Sequence, residues 1–119
     1  MGRILVIDDD SDVRTMIEQV LRQAGHSVVQ AVDGLEGASR HHREPADLVI
    51  TDLYMPGQDG IEILTQFRKV APHVPVIAVS GNSDMLLVAQ KSGAVATLKK
   101  PFGADELLKA VREALGENR

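Results

Sequence analysis

At 119 residues and 44% hydrophobic content the chain has room for one core and too little for two, so a single domain over residues 1–119 is expected. There is no cysteine, which excludes a disulfide framework and a thiolate metal centre and suits a reducing compartment, the cytoplasm by default. A formal net charge of -4, no Lys/Arg run and only three aromatic residues (Tyr54, Phe67 and Phe102) argue against a nucleic-acid surface and toward a cation as partner.

Arg3-Ile4-Leu5-Val6-Ile7 is a branched apolar run stopped by Asp8-Asp9-Asp10, the pattern of a strand buried on both faces. Ser11 suits a helix N-cap. Val13, Met16, Ile17, Val20, Leu21 and Ala24 then recur at helical spacing until Gly25 ends the segment. Ser27 to Ala31 is a second strand, and Asp33-Gly34 opens a weaker helix through about His42, closed by Pro45. Asp47-Leu48-Val49-Ile50-Thr51-Asp52 is a third strand, followed at once by the turn Leu53 to Gly57. Ile61, Leu64 and Phe67 mark a third helix ending before Pro72. Val76 to Ser80 is a fourth strand, Gly81-Asn82 a turn, and Ser83 to Ser92 a helix whose Met85 to Ala89 stretch is apolar almost all round. Past Gly93, Ala94 to Lys100 gives a fifth strand, and a last helix carries Leu107, Leu108, Val111 and Leu115 on one face. Neither a repeat nor a linker interrupts the alternation. No apolar run, Val74 to Val79 included, is long enough to span a membrane, and the N-terminus lacks the layout of a signal peptide.

Strands alternating with helices predict a doubly wound α/β domain, because parallel neighbours need right-handed crossover connections. In such sheets ligands bind beyond the carboxyl ends of the strands. Asp8-Asp9, Asp52, Ser80 and Lys100 all fall at those ends, so residues far apart in sequence are expected in one site. Crowded carboxylates share protons or neutralise their charge with a cation. All-oxygen ligands without His or Cys favour Mg²⁺, which is commonly completed by phosphate oxygens. A carboxylate there can attack phosphorus, with the metal and a lysine ammonium taking up charge on the phosphoryl oxygens. Taken singly, each piece has an ordinary structural reading as a helix cap or a turn residue. Their convergence on one sheet edge is what favours a site. His26, His41, His42 and His73 fall in helix ends and loops and are expected to be solvated.

At these residues the sequence resembles a response-regulator receiver domain, the phosphorylatable half of two-component signalling, such as the chemotaxis response regulator. The resemblance covers essentially the whole chain. It rests on Ile4-Leu5-Val6-Ile7-Asp8-Asp9, Asp52-Leu53-Tyr54-Met55-Pro56 with Asp59-Gly60, Ser80-Gly81, and Gly93-Ala94 leading to Lys100-Pro101-Phe102. It implies a flavodoxin-like five-stranded parallel sheet of order 2-1-3-4-5 with five helices. It also implies Asp52 as phosphoacceptor, Asp9 as a direct Mg²⁺ ligand, Asp8 holding the metal mainly through water, and the Tyr54 backbone carbonyl as a further ligand. Ser80 matches the hydroxyl that closes on the phosphoryl group and Lys100 the lysine that reaches the phosphoacceptor; Lys99 falls out of that register. A cis bond before Pro101 is expected, and Asp10 is the spare acid, left to cap a helix.

The implied function is a switch that takes phosphate from a phosphohistidine of a sensor kinase or phosphotransfer protein and then alters its affinity for a downstream protein. It would catalyse only its own phosphorylation and dephosphorylation. The helix Ser83–Ser92, with the last strand and helix, is the candidate partner surface. The chain departs from the family pattern in two places: Thr97 stands where the family usually has an aromatic residue, and the stretch from Ser80 to Gly93 is a little short. Three other readings compete. A degenerate receiver that only binds proteins would usually have lost Asp52 or Lys100. A Mg²⁺-dependent phosphohydrolase of the haloacid-dehalogenase kind needs a second acid where Tyr54 stands. A flavin or nucleotide module lacks its Gly-rich loop here. A stand-alone regulator and a piece of a longer one would present the same domain.

Overall fold

The structure of the protein is a computed structural model that describes residues 2–55 and 58–116. Five strands form one parallel sheet: β1 (Arg3–Ile7), β2 (Ser27–Ala31), β3 (Leu48–Asp52), β4 (Val76–Ser80) and β5 (Ala96–Lys99). Their order across the sheet is β2-β1-β3-β4-β5, as expected. Five helices alternate with them: α1 (Ser11–Gln23), α2 (Gly34–Arg43), α3 (Gly60–Val70), α4 (Ser83–Lys91) and α5 (Ala104–Ala114).

The central strands are apolar on both faces because both faces are covered. Ile4, Val6, Leu48, Ile50, Ile77 and Val79 point to one side, where they pack with Ile17 and Leu21 of α1 and Leu107 and Val111 of α5. The alternate residues Leu5, Ile7, Val49, Val76 and Ala78 point to the other, against Leu64 and Phe67 of α3 and Leu86 and Ala89 of α4. α2 lies over the same side through Gly37, where an added Cβ would stand 2.5 Å from Ile7 Cδ1.

Several local expectations are corrected. Ser11 is the first helical residue of α1, and its N-cap is Asp10, whose carboxylate accepts from the Asp12 and Val13 amides. Asp47 stands before β3, where its carboxylate accepts from the Arg3 amide at 2.8 Å. The last strand is shorter than Ala94 to Lys100, and α4 stops at Lys91 with Ser92 as its C-cap. The segment after Asp52 is more ordered than a bare turn, since Tyr54–Met55 pairs antiparallel with Gln58–Asp59. Pro56 and Gly57, expected in that turn, lie outside the described residues.

Two histidines also differ from expectation. His26 is buried, its Nδ1 accepting from the Gly2 amide at 3.1 Å. His41 Nδ1 accepts from the Ala46 amide at 3.0 Å, and its ring meets Phe67 edge-on at 5.6 Å. His42 and His73 are exposed as expected. A backbone amide near an imidazole satisfies the ring nitrogen without water, and no periodicity in the sequence announces that.

A candidate phosphoryl-transfer site at the strand ends

Three strands of the sheet deliver the site. Leaving β1, Asp8 still donates its amide to the Ala31 carbonyl at 3.1 Å, so it is held by the ladder although its side chain has passed the strand's end. Its carboxylate accepts from the Asp10 amide at 2.9 Å. Asp52 is the last residue of β3, and the next amide, that of Leu53, donates to the Val79 carbonyl at 2.9 Å. Lys100 follows β5 with its amide on the Ser80 carbonyl at 2.9 Å, and the Lys100–Pro101 peptide is cis, as expected. Asp8 and Asp52 are buried at 2% and 5% exposure, whereas Asp9 is open to solvent.

Each of Asp8, Asp9 and Asp52 offers a carboxylate oxygen, and those oxygens lie within 4.8 Å of one another. The Lys100 ammonium stands 3.2 Å from Asp8 Oδ2 and 3.5 Å from Asp52 Oδ2. Burial pushes the Asp52 carboxyl above its usual range, and the neighbouring Asp8 charge pushes the same way, against Lys100 and a long hydrogen bond from the Tyr54 amide. Burial likewise raises Asp8, more than the Asp10 amide and Lys100 lower it. Burial by itself pulls the Lys100 ammonium down, but Asp8 and Asp52 together outweigh it and hold it above its ordinary value. One ammonium is too little for this much negative charge. An all-oxygen donor set with excess charge fits a hard divalent cation such as Mg²⁺.

The remaining expected residues border this cluster. Ser80, buried at 3% exposure, ends β4, and its hydroxyl oxygen accepts from the Asn82 amide at 3.0 Å. That leaves the hydroxyl proton to donate elsewhere. The Asn82 side chain caps α4 by accepting from the Asp84 and Met85 amides. Tyr54 is exposed, at 78%. Lys99 is exposed and outside the cluster, consistent with its register. Behind Asp52, Gly60 is so close that an added Cβ would lie 2.3 Å from the Leu53 Cα, so only glycine lets α3 start there.

One functional candidate escaped the reading of the sequence. Arg14 donates to the Asp8 carbonyl at 2.6 Å. The signal was present as Arg14, Glu18 and Arg22 at four-residue spacing on α1, a charged stripe that reads by default as a solvated face.

The fold and this constellation define a doubly wound α/β module that gathers three carboxylates and a lysine beyond the carboxyl ends of its strands. Comparison with known proteins makes the assignment specific. Residues 4–112 match the response regulator receiver domain, and the chain belongs to that family. Sporulation initiation phosphotransferase F of Bacillus subtilis is 34% identical over 115 residues, which span 95% of this chain and 93% of that protein. The C4-dicarboxylate transport transcriptional regulatory protein DctD of Pseudomonas aeruginosa is 36% identical over 119 residues, but the match spans 26% of its length. A response regulator receiver domain protein from Clostridium thermocellum superposes with a TM-score of 0.90 at 35% identity, covering 98% of this chain and 95% of that one. The chain is thus a phosphoacceptor receiver module of two-component signalling, and nothing supports the phosphohydrolase or the degenerate-receiver alternative. Among the described residues, no helix is long and apolar enough to cross a membrane.

Proposed function

We propose that Asp52 is the phosphoacceptor, served by Lys100, Ser80 and a Mg²⁺ ion held by Asp9, Asp52 and the Tyr54 carbonyl, with Asp8 acting mainly through water. The observation that carries this reading is the meeting of three carboxylates and one ammonium beyond the ends of β1, β3 and β5. The donor, a phosphohistidine of a sensor kinase or phosphotransfer protein, presents phosphorus to an Asp52 carboxylate oxygen. A P–O bond forms as the P–N bond breaks, and the electron pair leaves on the imidazole nitrogen. Bound Mg²⁺ supplies positive charge for the phosphoryl oxygens. Lys100 is already within 3.5 Å of Asp52 and needs no large movement to meet the new charge. Ser80 has a hydroxyl proton to give to a phosphoryl oxygen.

The output is a change in affinity for a protein partner, which requires that the partner distinguish the two states. α4 is suited to this because one face holds it to the sheet through Leu86 and Ala89 while Leu87 and Val88 stay exposed at 52% and 45%. Its N-cap is Asn82, two residues beyond Ser80, so a shift of Ser80 toward phosphate pulls directly on that cap. With Thr97 in place of an aromatic ring, this loop and helix carry the relay together with β5 and α5.

Intact-mass spectrometry after incubation with acetyl phosphate tests the chemistry. The expected result is a Mg²⁺-dependent gain of one phosphoryl group, absent from Asp52→Asn. A folded, Mg²⁺-supplied protein that gains nothing would overturn the assignment.

A further inference from the structure

We infer that Arg14 is a positioning residue for the cation site, fixing from behind the peptide that carries Asp9. This rests on the reading of Asp8 and Asp9 as cation ligands. The Asp8 carbonyl and the Asp9 amide share one peptide plane, so anchoring the carbonyl sets the direction in which Asp9 leaves the strand. Arg14 supplies that anchor through a 2.6 Å hydrogen bond from its guanidinium.

The guanidinium is itself held. Its Nε donates to Gln30 Oε1 at 2.9 Å, reaching from α1 to the edge strand β2. The Gln30 amide nitrogen donates to Glu18, whose second oxygen accepts from Arg22 Nε at 2.7 Å. Arg22 then donates to the Val28 carbonyl, also in β2, at 3.2 Å. Arg14, Glu18 and Arg22 stand one turn apart on α1 and face one strand, so each fixes the next. Pulling Glu18 below the usual carboxylate range are first the Gln30 amide and then Arg22, as expected for an ionised member of such a chain. A planar guanidinium can bond the Asp8 carbonyl and Gln30 at once from a single rotamer, which a lysine ammonium on a flexible stem does less well.

The sign of the effect separates positioning from plain electrostatics. Arg14 is a cation beside a cation site, so through charge alone its removal would strengthen Mg²⁺ binding. Positioning requires the reverse, and partners that orient metal ligands are typically worth about 10–100-fold in metal affinity.

The test is calorimetric Mg²⁺ titration of the full chain, with Mn²⁺ electron paramagnetic resonance as a second readout, on the native protein, Arg14→Ala, Arg14→Lys, Gln30→Ala and Asp9→Asn. Arg14→Ala is expected to bind about 10–100-fold more weakly, Arg14→Lys to recover part of the loss, and Gln30→Ala to lose less than Arg14→Ala. A folded Arg14→Ala protein that binds as tightly as native, or more tightly, overturns the inference. If Arg14→Ala does not fold, native affinity in Gln30→Ala overturns it instead. Native affinity in Asp9→Asn would sink the cation-site reading itself, and the Arg14 inference with it.

Discussion

Asp8 and Asp52 are carboxylates that the fold holds at a cost. Each has its pKa raised, chiefly by burial, so without metal the folded state binds protons more tightly than the unfolded one. Metal-free stability therefore falls as pH rises from the ordinary value of 3.8 through the raised values, and stays lower above them. Neutralising one charge by Asp52→Asn should raise the melting temperature in chelator at neutral pH; a lower one would contradict this account of the cluster. Lys100 also has its pKa raised, so its linkage has the same sign at higher pH: its contribution is fully present below the usual 10.5 and is lost as pH climbs through the folded value. Lys100→Ala leaves Asp8 and Asp52 without their cation and should destabilise the metal-free protein by about 1–3 kcal/mol, as read by urea titration. Tyr54 follows two residues after Asp52, the acceptor proposed above, and should hinder the in-line water that hydrolyses the acyl phosphate. Tyr54→Ala is expected to lose phosphate faster, measured as decay of the phosphorylated mass after donor removal.

Among the elements, α3 shows how a helix start can serve a site it does not line. Gly60 backs directly onto the Leu53 main chain, one residue past Asp52, and the contact is with backbone that cannot rotate away. Gly60→Ala should cost about 1–3 kcal/mol, and by displacing the end of β3 it should also slow phosphorylation from acetyl phosphate. A variant of native stability and rate would show that the contact has room to relax. In the sequence Asp59-Gly60 stands out only as part of the receiver-like motif, and nothing there announces the close approach of Leu53. The strands were easier to read: Arg3 to Ile7, Val76 to Ser80 and the core of Asp47 to Asp52 are runs of branched residues bounded by polar ones, and such runs carry their own signal. Asp10 and Ser11 both suit the cap of α1, because either side chain can accept from the first helical amides, and the structure gives that place to Asp10.

Across the whole molecule, the site was legible because parallel α/β topology gathers strand ends, and the acids and the lysine all stood at strand ends in the sequence. What was not legible depends on individual hydrogen bonds and a short hairpin that hydrophobic periodicity does not encode. Arg14 reaching the Asp8 carbonyl, His41 accepting from Ala46 and the pairing of Tyr54–Met55 with Gln58–Asp59 are of this kind. The same view links the cation to global stability: at a hundredfold excess over its Kd, Mg²⁺ should stabilise the fold by about 2.7 kcal/mol. That increment should vanish in Asp9→Asn, as followed by thermal melting with and without chelator.

The central claim is that phosphate lands on Asp52, and reductive trapping reads it at a single residue. Borohydride reduces an aspartyl phosphate to homoserine, which peptide mass mapping locates in the chain. After incubation with acetyl phosphate and Mg²⁺, the account predicts homoserine at position 52 and nowhere else. Homoserine at Asp8 or Asp9, with residue 52 unchanged, would contradict it.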